Sequence, residues 1–221
     1  MGLTVNYKVS IPITENIVEK LEKVRQQCLD LPFETVDEVK DMQISKETIQ
    51  LFRDLQKRYT WPNNSFENLA KRDKMMEERG TDTWTIITID DTKYPQDHHL
   101  VQLSLWAGKG CEGTEFSFTK KKKYWRCEGF TKTQYAEQFV KCHLLVIKAL
   151  DLLKEQGFEV NVKDEGHYWE TRDLKVLAQN INDYTELIKN IFGTLKGQTE
   201  GKMDIVSPIE GCENYMNVKD D

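Results

Sequence analysis

Residues 164–173, Asp-Glu-Gly-His-Tyr-Trp-Glu-Thr-Arg-Asp, place four acids, an imidazole and two aromatic rings within ten positions. That mixture suits acid–base chemistry, because an apolar wall and neighbouring charges move carboxylate and imidazole proton affinities toward neutrality. Glu165 and Glu170 are therefore candidate proton-transfer groups. The same residues have a structural use, since acids at a helix start complement its dipole and Tyr168 or Trp169 can staple a turn to a core. His143 follows Cys142 in a long apolar stretch. Adjacent helical residues point about 100° apart, so one of the pair can face the core while the other faces a pocket.

A second constellation is Trp106-Ala-Gly-Lys-Gly-Cys-Glu-Gly113. Its three glycines could turn backbone amides toward an anion beside Lys109, but the order of a phosphate loop and its following helix are missing. A wide hairpin turn is the plainer reading. Cys111 serves as a nucleophile only if a neighbouring base lowers its pKa. Cys111, Cys127, Cys142 and His143 lack the close spacings of a zinc site, and no metal or cofactor is expected. Lys120 to Lys123 with Trp125 and Arg126 could hold phosphate and stack a base. A lysine-rich hairpin tip that protects a sheet edge is the alternative.

These groups must be positioned by elements that the apolar periodicity outlines. Residues 3–11 alternate as a half-buried strand, and a stripe through Ile17, Val18, Leu21, Val24, Cys28 and Leu31 predicts a helix over 15–29. A strand at 33–39 and a helix at 45–57 follow, then a charged connection with a short helix over 71–79. Four strands are predicted at 83–89, 100–106, 115–118 and 124–128, separated by turn-rich segments. A helix within 132–156 is apolar around most of its circumference. A short strand at 158–163, the acidic turn and an amphipathic helix over 171–195 complete the pattern. The fold class expected is α+β, an antiparallel or mixed sheet against about three main helices. Residues 1–195 read as one domain, and 196–221 as an acidic, flexible tail.

The 221 residues are 38% hydrophobic and 31% charged, which excludes fibrous and disordered polyelectrolyte classes. A net charge of −6 argues against general binding to a nucleic-acid backbone. Five cysteines without a CxxC pair fit reduced thiols and a cytoplasmic location, with no export signal or membrane span expected.

The opening Met-Gly-Leu-Thr with Tyr7, Leu29-Asp-Leu-Pro-Phe33, Gly110-Cys-Glu112, Lys132-Thr-Gln-Tyr-Ala136, Cys142-His-Leu144 and the 164–173 segment resemble an uncharacterised bacterial protein family over about residues 1–195. No activity, fold or ligand comes with that resemblance. It favours Glu112, Lys132, His143, Glu165 and Glu170, which lie on the matching pieces. Two positions depart from it: His167 stands where the family carries glycine, and Ala107 where it carries proline after tryptophan.

The reading that follows is a binding module for a small polar ligand or a protein partner. Its expected ligand-binding residues are Glu112, Lys132, Tyr135, His143, Glu165 and Trp169, in a cleft between the glycine turn and the acidic turn. The alternatives are a hydrolase using Glu165, Glu170, His143 or Cys111, and nucleic-acid binding through residues 120–126.

Overall fold

The computed structural model describes residues 3–58, 65–81, 86, 96–133 and 138–180. In chain order the elements are β1 (Thr4–Pro12), α1 (Ile17–Leu29), β2 (Thr35–Val36), β3 (Lys40–Ile44), α2 (Lys46–Arg58), α3 (Phe66–Glu77), β4 (His98–Trp106), β5 (Thr114–Lys121), β6 (Tyr124–Lys132), α4 (Phe139–Glu155), β7 (Glu159–Asp164) and α5 (Tyr168–Thr171). The seven strands form one sheet in the order β2-β4-β5-β6-β1-β7, with β3 also paired to β4. Every pairing is antiparallel, so the fold is α+β.

Alternation along the strands assigns the two faces. Val5, Tyr7, Val9 and Ile11 of β1, Val101, Leu103 and Leu105 of β4, Phe116 and Phe118 of β5, and Trp125 and Cys127 of β6 form one core with α1 and α4. Asn16 starts α1 by accepting the amide of Glu19, and of the expected stripe the helix buries Ile17, Leu21, Val24 and Cys28, with Val18 and Leu31 only partly buried. On the opposite face Leu100 and Ile44 join Ile49, Phe52, Leu55, Met76 and Ile86 in a second core under α2 and α3. Among the described residues that second layer stops at β5. Thr119 is buried, whereas its β6 neighbour Arg126 is exposed.

Several expectations are corrected. The strand at 33–39 is reduced to Thr35–Val36, and the polar stretch Lys40–Ile44 forms a strand on the same edge of β4. Edge pairing there is directed by the backbone, so alternation of side chains does not reveal it. The charged connection is a 12-residue helix, started by Ser65 accepting the amide of Asn68 and anchored by fully buried Met76. Of the strand at 83–89 only Ile86 lies among the described residues, and it is helical. Lys132 ends β6 rather than opening a helix, because its carbonyl accepts from Glu112 and the next amide, of Thr133, donates to Leu3. The helix beyond the acidic turn divides into α5 and a helical run over 174–180, separated by Arg172 at φ 53°. Residues 181–195 of the predicted helix and the tail lie outside the described residues. No described helix is long and apolar enough to cross a membrane.

Candidate functional site

The polar groups singled out in the sequence gather where β1 begins and β6 and β7 end. Thr4 pairs with Lys132 and Val5 with Asp164, so β1 is flanked on both sides. The Thr4 amide donates to the Glu165 carboxylate at 2.9 Å, and the Glu165 amide returns a bond to the Thr4 carbonyl at 3.1 Å. Because side chains alternate, Asp164 points toward the helices and Glu165 does not.

Asp164 is the hub of the helix side. Its Oδ1 accepts the Gly166 amide at 2.7 Å, and its Oδ2 accepts the amides of Tyr168 and Trp169 at 2.8 and 2.9 Å. The same Oδ2 lies 3.2 Å from Nε2 of His143, whose Nδ1 lies 3.0 Å from the Thr133 hydroxyl. Facing a carboxylate, Nε2 donates to it, and the Thr133 hydroxyl pairs with Nδ1. Phe139 stacks on the imidazole at 5.5 Å. Burial alone would raise the Asp164 pKa, but the hydrogen bond and charge of His143 and the amides of Trp169 and Gly166 outweigh it and hold the carboxylate below its ordinary value.

Hydroxyl, imidazole and carboxylate stand in the order of a nucleophilic triad. Access is what the arrangement lacks: Thr133 and His143 are 0% exposed and Asp164 1%. As folded, the network pins the end of β6, the first turns of α4 and the end of β7 together. Gly166 is required beside it, since a Cβ there would lie 2.7 Å from Leu177 Cδ1 and 3.1 Å from His143 Cε1. His167 follows at φ 56°, the left-handed conformation glycine adopts without penalty.

The other expected site residues are distributed around this pin. Glu112 and Lys132 face each other, the carboxylate accepting the Lys132 amide at 3.2 Å and lying 3.8 Å from its ammonium. Glu170 is exposed. Trp169 carries the Arg172 guanidinium 4.6 Å from its ring, and Arg172 is held by a two-pronged bond to Asp151 at 2.7 and 2.8 Å. Tyr135 lies outside the described residues. Thr133, Asp151 and Arg172 were not singled out from sequence. The Thr133 and Asp151 contacts span 10 and 21 residues, so no local motif announces them.

In the glycine turn the Cys111 amide donates to the Gly108 carbonyl at 3.0 Å, and the Trp106 indole donates to the Cys111 carbonyl at 3.1 Å. Beside it is a cavity of about 40 Å³ lined by Glu34, Gly108, Lys109, Gln138, Lys141 and Cys142. Burial pushes the Cys111 thiol up to about 12, so the group is protonated at neutral pH.

The basic hairpin divides between the two faces. Trp125 is 3% exposed, with the Lys120 ammonium 4.8 Å from its ring centre and the edge of His99 against it, and so offers no stacking platform. Tyr124 and Arg126 lie instead on the face that no second layer covers among the described residues. There β6 presents Tyr124, Arg126, Glu128 and Phe130, β1 presents Asn6, Lys8 and Ser10 in register, and β7 adds Glu159, Asn161 and Lys163. Phe130 is 52% exposed, and Lys8 pairs with Glu128 at 3.0 Å.

No family model matches the chain, and neither a curated protein nor a solved structure is significantly similar to it.

Proposed function

We propose that this chain is a binding module and that it receives a protein partner on the open face of β6, β1 and β7. The observation that carries this reading is Phe130, a large aromatic side chain left half-exposed on a sheet surface. Around it stand Tyr124, Arg126 and charges of both signs. Aromatic residues and arginine within a mixed polar rim are the composition of protein-binding hot spots. Lys132, Glu112 and Glu165 border the upper end of this face, so three of the expected ligand residues take part as its rim. The hydrolase alternative has less support: His143 is enclosed, Glu165 is engaged by the Thr4 amide, and Glu170 is held on a separate exposed turn. A reducing, cytoplasmic setting suits the four buried free cysteines among the described residues.

A second reading is favoured by one specific pattern. On either side of Glu128, Tyr124 with Arg126 and Phe130 with Lys132 pair a ring with a cation along β6, and such pairs can stack bases while neutralising phosphates. One experiment separates the two. A photoreactive p-benzoylphenylalanine at position 130 is irradiated in cells, and adducts are identified by mass spectrometry. A recurrent protein adduct, rebuilt from purified components and weakened at least tenfold by Arg126→Glu, supports the first reading. Adducts to RNA alone support the second. The absence of any adduct at 130, with the variant folded, overturns both.

A further inference from the structure

Cys111 and Cys142 meet in a small apolar cluster with Ala107 and Leu145. They come from different elements, the glycine turn and the first turn of α4, and are buried together in that cluster. The backbone agrees with this proximity: a Cβ built on Gly108 would lie 3.0 Å from Cys142 Sγ, and Gly108 is bonded to the Cys111 amide. Absence of a side chain at 108 therefore lets the turn press against the Cys142 sulfur. Cys142 also lines the cavity of about 40 Å³, together with Lys109 and Lys141. Space for one ordered water is smaller than this, so a molecule of two oxygen atoms fits beside the sulfur. Cys28 and Cys127 sit in the main core, one on α1 and one on β6.

We propose that Cys111 and Cys142 form a reversible internal disulfide when the protein meets hydrogen peroxide, fastening the glycine turn to α4. The step balances. Cys142, as the thiolate, attacks one peroxide oxygen; the O–O bond breaks, and the departing hydroxide takes up the released proton as water. The resulting sulfenic acid is attacked by the Cys111 sulfur, the S–O bond breaks and a second water leaves. Two thiols and one peroxide become one disulfide and two waters, the sulfurs supplying two electrons. The thiolate is the attacking species, and burial raises both thiols above their ordinary values. Oxidation is consequently slow at neutral pH and accelerates close to tenfold per pH unit while the thiol form dominates.

The test uses the full chain. Trypsin places Cys111 in the peptide 110–120 and Cys142 in 142–148, so a bond between them is read directly. Folded protein is treated with peroxide, free thiols are alkylated in denaturant, and peptides are mapped with and without dithiothreitol. The expected result is a peptide pair 2 Da lighter than the two free peptides, lost on reduction and formed faster in the native protein than in urea. Cys111→Ser is expected to leave Cys142 as a sulfenic acid that dimedone traps, and Cys28→Ser to change nothing. Oxidation of Cys142 to the sulfinic acid without the linked pair, a link formed only in urea, or complete alkylation of both thiols after prolonged exposure at pH 9 overturns the proposal. Wild-type protein alone decides these outcomes, so a variant that fails to fold leaves the test intact.

Discussion

The acidic turn and the open face of β6 are opposites in what their residues have left to offer. In the turn, Asp164 takes three backbone amides and an imidazole, and nothing of it reaches solvent. On β6, Phe130 and Tyr124 are 52% and 39% exposed in a strand that reads as ordinary alternation. The segment richest in chemical groups is thus built on a carboxylate already spent on the fold, with His167 and Glu170 left at the surface. Density of functional side chains along a chain measures their capacity for interaction, and folding decides whether that capacity is turned inward or outward.

The largest expected effect lies on the inward side. Asp164→Ala strips the partner from His143 Nε2 and from three amides, and should cost about 3–5 kcal/mol in urea denaturation. A loss under about 1 kcal/mol would mean that the pin contributes little and that the contrast is overstated. Next is Gly166→Ala, whose methyl meets Leu177, His143 and Asp164 at 2.7, 3.1 and 3.2 Å. Overpacking there should cost about 1–3 kcal/mol, read as a lower thermal midpoint.

Acid titration sharpens the same point. A carboxylate held below its unfolded value contributes stability that is complete above that value and vanishes as pH falls through the folded one. For Asp164 the contribution should therefore be present above the ordinary 3.8 and decline at lower pH. Asp164→Asn should flatten that limb of the stability profile; an unchanged limb would assign it to other acids. His167→Gly relieves a left-handed backbone and should stabilise by about 1 kcal/mol, and a destabilised variant would show that the imidazole makes a compensating contact. The smallest effect belongs to the outward side. Phe130→Ala should change stability by less than about 0.5 kcal/mol while weakening partner binding at least tenfold. A large stability loss would place that ring in the fold rather than in an interface.

Much of the architecture was legible because amphipathic periodicity is a local signal. The stripe of α1, the alternation of β1 and the apolar circumference of α4 each lie within one segment, and each is found where expected. Boundaries set by distant partners were not. β6 runs on to Lys132 because β1 pairs with it along its whole length, and β3 exists because β4 has a free edge. The site was legible only as a list of residue types. Glu112, Lys132 and Glu165 do meet at one end of the sheet, yet the inward turn of Asp164 and His143 depends on strand parity and on Thr133, ten residues before the imidazole.

The chain's earliest strand is also among its most interior. β1 lies between β6 and β7, its Val5 opposite Thr131 on one side and Asp164 on the other. During synthesis that strand emerges before both of its neighbours and must wait for them, so order of birth and order of assembly are reversed. At a translation rate of roughly 5–20 residues per second, an apolar ribbon stays unmatched for on the order of ten seconds or more. Nascent chains of this protein therefore have reason to lean on a holdase, and truncation before residue 159 should leave a sticky fragment rather than a smaller native one.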